Sequence, residues 1–181
     1  VSEEDYAEWL TGAKIKFADI DPKTLNISIE SVEKLITKKT KAIVFVNYGG
    51  ILNNLEKLNK IAKKNKIILI QDAAQSLGKI PVDVQEMNVD LLSVAGHKLY
   101  APKGIGALFI REGVKLEKLI HGADHERNLR AGTENVLEIV GLGKACEMAA
   151  NDLQKNMAHM KSMRDRLFDG LSNSVGELKL N

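Results

Sequence analysis

Residues 66–75 read Lys66-Ile67-Ile68-Leu69-Ile70-Gln71-Asp72-Ala73-Ala74-Gln75, an apolar run that ends in an acid. An uninterrupted stretch of Ile and Leu predicts a strand buried on both faces, the pattern of parallel sheets. Ligands of open α/β sheets bind beyond the carboxyl ends of the strands, which is where Asp72 and Gln75 fall. Reading outward, short apolar runs alternate with amphipathic stretches, the mark of βαβ units.

On the N-terminal side, Lys41 to Asn47 (KAIVFVN) predicts a strand, Tyr48-Gly49-Gly50 a turn, and Leu55, Leu58, Ile61 and Ala62 one face of a helix. Further back, Ser2-Glu3-Glu4-Asp5 predicts a capped helix start running to Leu10. Ile15 to Ile20 predicts a strand broken by Asp21-Pro22, and Ser28 caps a short helix carrying Val32, Leu35 and Ile36. On the C-terminal side, Val89 to Val94 and Gly106 to Arg111 are two more strands. The loop between them is too short for a helical crossover, which predicts an antiparallel pair. From about Thr133 a helical tail extends towards Leu171, with loosening expected near Gly141 and Gly143. Its stripe of Val136, Ile139, Val140, Leu142, Ala145, Met148 and Ala149 reads as core or subunit contact. The expectation is one α/β domain over residues 1–181, a mostly parallel sheet flanked by helices with a long helical segment at the C-terminal end.

Composition excludes several classes. Of 181 residues 44% are apolar and 28% charged, ordinary for a globular protein. A formal charge of +2 gives no argument for nucleic acid or a membrane surface, and 4% aromatics are too few for single-strand stacking. No apolar run of about eighteen residues predicts a membrane span. Val1 begins no signal-peptide pattern. The one cysteine, Cys146, excludes an internal disulfide and suits a reducing compartment, so the cytoplasm is the expected location. Gly104-Ile105-Gly106 precedes a strand and is no dinucleotide fingerprint. His121, His125 and Glu126 lack the spacing of metal ligands, and no metal is expected.

The chemistry-bearing residues form a set. Asp72 has the bland reading of a cap on the following turn, Gln75 that of a solvated polar residue, and Lys98 that of a surface charge. Yet Asp72 and Gln75 follow one strand, and Lys98, preceded by Ala95-Gly96-His97, follows the next. An acid, a lysine and small polar groups at strand ends are the inventory for pyridoxal 5'-phosphate. A carboxylate keeps the ring nitrogen protonated, and a desolvated lysine amine bonds to the aldehyde. Gln75 suits the ring's phenolic oxygen and His97 the phosphate. Arg130 and Thr133 flank a glycine at an expected helix start, where backbone N–H groups and the helix dipole favour anions. The bland reading there is a Thr N-cap.

The runs Val89 to Ile110 (VDLLSVAGHKLYAPKGIGALFI) and His121 to Val136 (HGADHERNLRAGTENV) resemble the cysteine desulfurases of the class V aminotransferase family. Their lysine stands in a Ser-Gly-His-Lys setting. The resemblance is tightest from Lys66 to Lys144. It implies a fold-type I large-domain core with pyridoxal 5'-phosphate held by Lys98, Asp72, Gln75 and His97. It places Asn47 at the family's Val-Asn-Asn position against the ring oxygen. It implies a homodimer in which Thr133 reaches the phosphate of the neighbouring subunit. The implied reaction converts cysteine to alanine and passes the sulfur through a catalytic cysteine to an acceptor protein.

Residues 16–50 look more like the sugar aminotransferases of the DegT type, which is the rival enzyme reading. Three departures from the desulfurase pattern shape the expectation. Ala95 stands where the family has a phosphate-binding serine. The chain starts after the family's phosphate loop and its ring-stacking histidine. It stops before the small domain with the mobile-loop cysteine and the carboxylate-gripping arginine. Cys146, inside the helical stripe, does not match that cysteine. The expectation is therefore the central part of a desulfurase, inactive by itself. A non-catalytic remnant that keeps the fold is the reading from outside the enzyme classes.

Overall fold

The computed structural model describes residues 12–178. The helix start expected at Ser2-Glu3-Glu4-Asp5 lies outside them. Four strands, β1 (Ala42–Val46), β2 (Ile68–Asp72), β3 (Leu91–Ala95) and β4 (Gly106–Ile110), form one sheet in the order β1-β2-β3-β4. The first three run parallel and β4 is antiparallel to β3, as the short connection requires.

The crossovers are local structures with visible causes. Helix α1 (Ile29–Leu35) starts where Ser28 Oγ accepts from the Ser31 amide. Helix α2 (Leu55–Asn65) starts where Asn54 accepts from the Lys57 amide. It stops at Lys66, which turns left-handed (φ 56°) and donates to Ala62 and Lys63 carbonyls. A single-turn helix, α3 (Val84–Met87), has no strong periodicity in the sequence. Asp83 caps it by accepting from the Gln85 and Glu86 amides.

These three helices pack on one face of the sheet. Val32 of α1, Leu58, Ile61 and Ala62 of α2 and Met87 of α3 meet Ile43, Phe45, Leu69 and Leu92 in one core. Strand alternation puts Leu69 and Gln71 on that face and Ile68, Ile70 and Asp72 on the other. The expected burial of β2 on both faces is thus corrected. Ile68 and Ile70 are only half-buried, and Val44 beside them is 59% exposed, because the described helices cover one side.

Two further expectations change. Ile15 to Ile20 is not a strand; only an isolated bridge joins Ile20 to Ile27. The helical tail starts at Val136, capped by Asn135, and α4 (Val136–Ser172) runs for 37 residues through Gly141 and Gly143 without a break. Gly141 is there for closeness. A Cβ on it would lie 2.8 Å from both Cγ and Cδ of Pro102. The contact brings Leu142 onto Leu99 and Ala101, a second small core that anchors α4 beside the turn after β3. Of the expected apolar stripe only Leu142 is buried, while Val136, Val140 and Met148 are more than half exposed. No helix among the described residues is long and apolar enough to cross a membrane.

Candidate active site at the strand ends

Register fixes the floor of the site. Val46 pairs with Asp72, Asp72 with Ser93, and Ser93 with Leu108, so these four form one row across the sheet. Residues in one row share a face. Asp72 therefore rises from the less covered face at the carboxyl end of β2, with Ser93 beside it. Its Oδ1 accepts from the Ala74 amide at 2.9 Å and from Ser93 Oγ at 3.1 Å. Its Oδ2 has no hydrogen-bond partner among the described residues. The two donors hold the carboxylate in one orientation and leave one oxygen for an N–H donor.

Gln75 follows in the turn after β2 and is exposed, with Oε1 accepting from the Gly49 amide at 2.7 Å. Gly49 belongs to the Tyr48–Gly50 turn at the end of β1, a single 3-10 turn in which Gly49 has φ 58°. Asn47, immediately before it, is fully buried, and its Oδ1 accepts from the Asn53 amide and from Asn53 Nδ2. Its Nδ2 is a buried donor with no partner among the described residues.

After β3 the chain makes a 3-10 turn, Gly96–Leu99, that carries His97 and Lys98. Gly96 is required for this turn: a Cβ there would come within 2.6 Å of the Ile105 carbonyl oxygen, which accepts from the Gly96 amide. Leu99 is buried and anchors the turn, while His97 and Lys98 are exposed. Exposure differs from the expectation of a desolvated lysine: none of the described residues covers the Lys98 side chain. Neither the His97 nor the Lys98 side chain hydrogen-bonds to a described protein group, although the His97 carbonyl accepts from the Tyr100 amide.

Asn47, Asp72, Gln75, His97 and Lys98 thus issue from the carboxyl ends of three adjacent parallel strands. Thr133 does not join them. It is exposed, no hydrogen bond links it to the strand ends, and Asn135 rather than Thr133 caps α4. Arg130 turns back on its own loop, donating to the Ala131 carbonyl and lying 3.8 Å from Glu126. That loop contains three successive left-handed residues, Glu126, Arg127 and Asn128. It is stapled by Lys118 Nζ, which donates to the Gly122 and Ala123 carbonyls and to Asp124. Cys146 is exposed, against the expectation of a packed cysteine. It lines a cleft of about 130 Å³ with Leu77, Ile80, Leu99, Ala149 and Leu153. Among the described residues no three His, Cys, Asp or Glu side chains converge as a metal site.

Reading motifs alone misses Ser93, Asn26 and Asn53. Ser93 was legible as a polar residue inside an apolar strand, but its bond to Asp72 depends on a register that no single strand reveals.

The donor set matches one kind of ligand. It offers a carboxylate with one free oxygen, an amine, an imidazole, a carboxamide N–H2 and a buried orphan N–H2. A protonated ring nitrogen, an aldehyde, a phenolate oxygen and a phosphate are what such groups satisfy. The family model described as Aminotransferase class-V matches residues 6–180.

This chain belongs to the class-V aminotransferase family.

The match includes residues 16–50, the stretch that looked like the DegT type. Pyridoxal 5'-phosphate is the cofactor of the class-V family, and the residues present fit it. Curated relatives include the cysteine desulfurase IscS of Clostridium botulinum, 38% identical over 173 residues, covering 94% of this chain and 43% of the relative. The cysteine desulfurase IscS of Methanosarcina thermophila is 43% identical over 157 residues, covering 86% of this chain and 38% of the relative. Among solved structures, a NifS-like protein superposes with a TM-score of 0.85 at 36% identity, covering 94% of this chain and 48% of that one. A structure described as SspA in complex with cysteine gives 0.62 at 43% identity, covering 67% of this chain and 36% of the other. The class-V chain described here spans less than half the length of these relatives.

Proposed function

We propose that this chain forms the cofactor-holding part of a cysteine desulfurase. In this reading it is a single α/β unit acting in the cytoplasm as a homodimer, with cysteine as substrate and a sulfur-acceptor protein as partner. The observation that carries the reading is the Asp72 carboxylate. Two donors fix it at the end of β2, one oxygen is left without a partner, and the lysine turn follows the neighbouring strand.

Each residue has a task. Asp72 Oδ2 holds the proton on the ring nitrogen, and Ser93 and the Ala74 amide hold Asp72. Gln75 donates an N–H to the ring's phenolic oxygen. Lys98 supplies the amine that attaches the cofactor, and its exposure lets it do so without disturbing the core. His97 donates to the phosphate. Thr133, which makes no hydrogen bond to these groups in its own subunit, serves the phosphate across the dimer interface. When bound, the cofactor supplies an electron sink for breaking bonds at the substrate's α-carbon. Ala95 lacks the hydroxyl found in the family motif, which removes a phosphate donor worth about 1.5–3 kcal/mol. The low grip that follows makes cofactor occupancy the first quantity to measure.

The test is to add pyridoxal 5'-phosphate to the purified chain, record the visible spectrum, reduce with borohydride and map the modified peptide. The expected result is a visible band and a label on Lys98, both lost in Lys98→Ala. A label spread over surface lysines with no preference for Lys98 refutes the assignment. Sedimentation tests the dimer: a monomer at every concentration counts against the role given to Thr133.

A further inference from the structure

Three asparagines, Asn26, Asn47 and Asn53, are buried together at the end of β1. Burying a carboxamide is costly unless its groups are bonded, so the bonds show what the cluster holds in place. Asn26 Oδ1 accepts from the Tyr48 amide at 2.9 Å, and Asn26 Nδ2 donates to the Ile51 carbonyl at 2.9 Å. One side chain therefore clamps both ends of the turn 48–51. Asn53 Nδ2 closes the cluster against Asn26 Oδ1, Asn47 Oδ1 and the Val46 carbonyl. Asn26 is itself fixed from outside. Its carbonyl accepts from the Asp21 amide, and its amide donates to Thr24 Oγ1, inside a loop that Asp21 Oδ1 organises.

Between the two clamped ends sits Gly49, whose N–H points at Gln75 Oε1. A backbone amide only donates, so this bond fixes which end of the carboxamide faces it. Gln75 spends its oxygen on Gly49, which leaves its N–H2, without a partner among the described residues, as the end able to donate to a ligand. The orientation decides the sign of the interaction with an anionic ring oxygen: an N–H2 attracts it and a carbonyl oxygen repels it.

We propose that Asn26 is a positioning residue for Gln75, acting through the turn 48–51 and the Gly49 amide to keep the Gln75 N–H2 turned toward the cofactor. The proposal rests on the reading of Gln75 as a donor to bound pyridoxal phosphate. Among the described residues no hydrogen bond joins the Asn26 side chain to Gln75. It transmits through backbone.

The test begins on the full chain without cofactor, where NMR-detected amide exchange reports the Gly49 bond by itself. Asn26→Ala and Gln75→Ala are each expected to speed Gly49 exchange about tenfold, the loss of one hydrogen bond. The double variant should be no faster than either single variant, because both remove the same bond. The Phe45 and Leu69 amides, in the sheet core, should keep wild-type protection. Unchanged Gly49 exchange in Asn26→Ala, or additive acceleration in the double variant, overturns the proposal. Should Asn26→Ala lose core protection, Asn26→Asp decides, since its carboxylate still accepts from Tyr48. It can no longer donate to the Ile51 carbonyl, so one end of the turn is released: Gly49 exchange is expected to speed up while the Phe45 and Leu69 amides keep their protection, and Gly49 exchange at the wild-type rate overturns the proposal.

The second reading adds pyridoxal phosphate and follows the pH midpoint of its bound visible band. Asn26→Ala should move the midpoint in the same direction as Gln75→Ala, and should move it no further in the Gln75→Ala background. A purely structural role would move it in both backgrounds, which refutes the relay. If the wild-type chain gives no bound band, the proposed function fails, while Gly49 exchange still decides the role of Asn26.

Discussion

Two glycines in α4 make a matched pair. Gly141 and Gly143 lie in the same continuous helix, near enough that replacing either by alanine should bring the same helix-propensity gain, about 1 kcal/mol. Their surroundings differ. A Cβ at Gly143 meets nothing within 4 Å, whereas one at Gly141 falls 2.8 Å from two ring carbons of Pro102. Carbon atoms rest at about 3.5–4.0 Å, and a proline ring cannot swing aside as a flexible side chain would. Overpacking of this kind costs about 1–3 kcal/mol. Subtracting one variant from the other cancels the propensity gain and leaves the clash. Gly143→Ala should stabilise the chain by about 1 kcal/mol, with Gly141→Ala lying about 1–3 kcal/mol below it. At about 2–4 °C per kcal/mol for a chain of this size, the melting temperatures should differ by roughly 2–12 °C. Thermal unfolding by circular dichroism, repeated in urea, measures both. Equal stability of the two variants would refute the reasoning, because it would mean that α4 does not press on Pro102. The stakes reach the site, since the same contact seats Leu142 on Leu99, next to Lys98.

Three other outcomes follow from the structure. Ala95→Ser restores a hydroxyl beside the lysine turn and should tighten pyridoxal phosphate binding about ten- to a hundredfold in a spectrophotometric titration; unchanged affinity would remove Ala95 from the phosphate site. Asp165 is held below the usual carboxylate range by hydrogen bonds from Lys161 and then Arg164. Its folded value being lowered, its small contribution is present above the ordinary carboxylate range and lost as pH falls through the folded value. Lys161→Ala should therefore raise the Asp165 titration measured by NMR, and an unmoved curve would sink the assignment. Exposed Cys146 should react with a maleimide in the folded chain nearly as fast as in urea; strong protection would show that the cleft is covered.

Strand identity was legible wherever apolar runs were short and bounded, and the direction of β4 followed from loop length alone. Burial was less legible. The run Ile67–Ile70 states that β2 can be buried on two sides, but which side is covered depends on helices placed by other segments. The stretch 15–20 carries a strand's composition, yet the Asp21 turn ties its end to Ile27 rather than to the sheet. Gly141 and Gly143 look alike in sequence, and only the proline brought alongside one of them separates their roles. At the strand ends, Asp72, Gln75, His97 and Lys98 stand out in the sequence as candidates by type and position after strands. Ser93 and Asn26 were not, because each works through a partner at least 21 residues away. The exposure of Lys98 and Cys146 was misjudged for a common reason. A one-dimensional pattern reports what a side chain prefers and not what lies above it.

The row Val46–Asp72–Ser93–Leu108 makes the chemistry of this chain a matter of counting. Side chains alternate along a strand, so sliding β2 by one residue would send Asp72 into the helix-covered core and lift Gln71 or Ala73 into its place. What prevents the slip is the fit of Leu69 and Gln71 among Ile43, Phe45 and Leu92 on the opposite face of the sheet from Asp72. The interior acts as a ruler, and the acid is one mark on it. Damage to the ruler, for instance by trimming Leu69, would therefore show itself first as a fault in what the strand ends can hold, before the sheet itself comes apart.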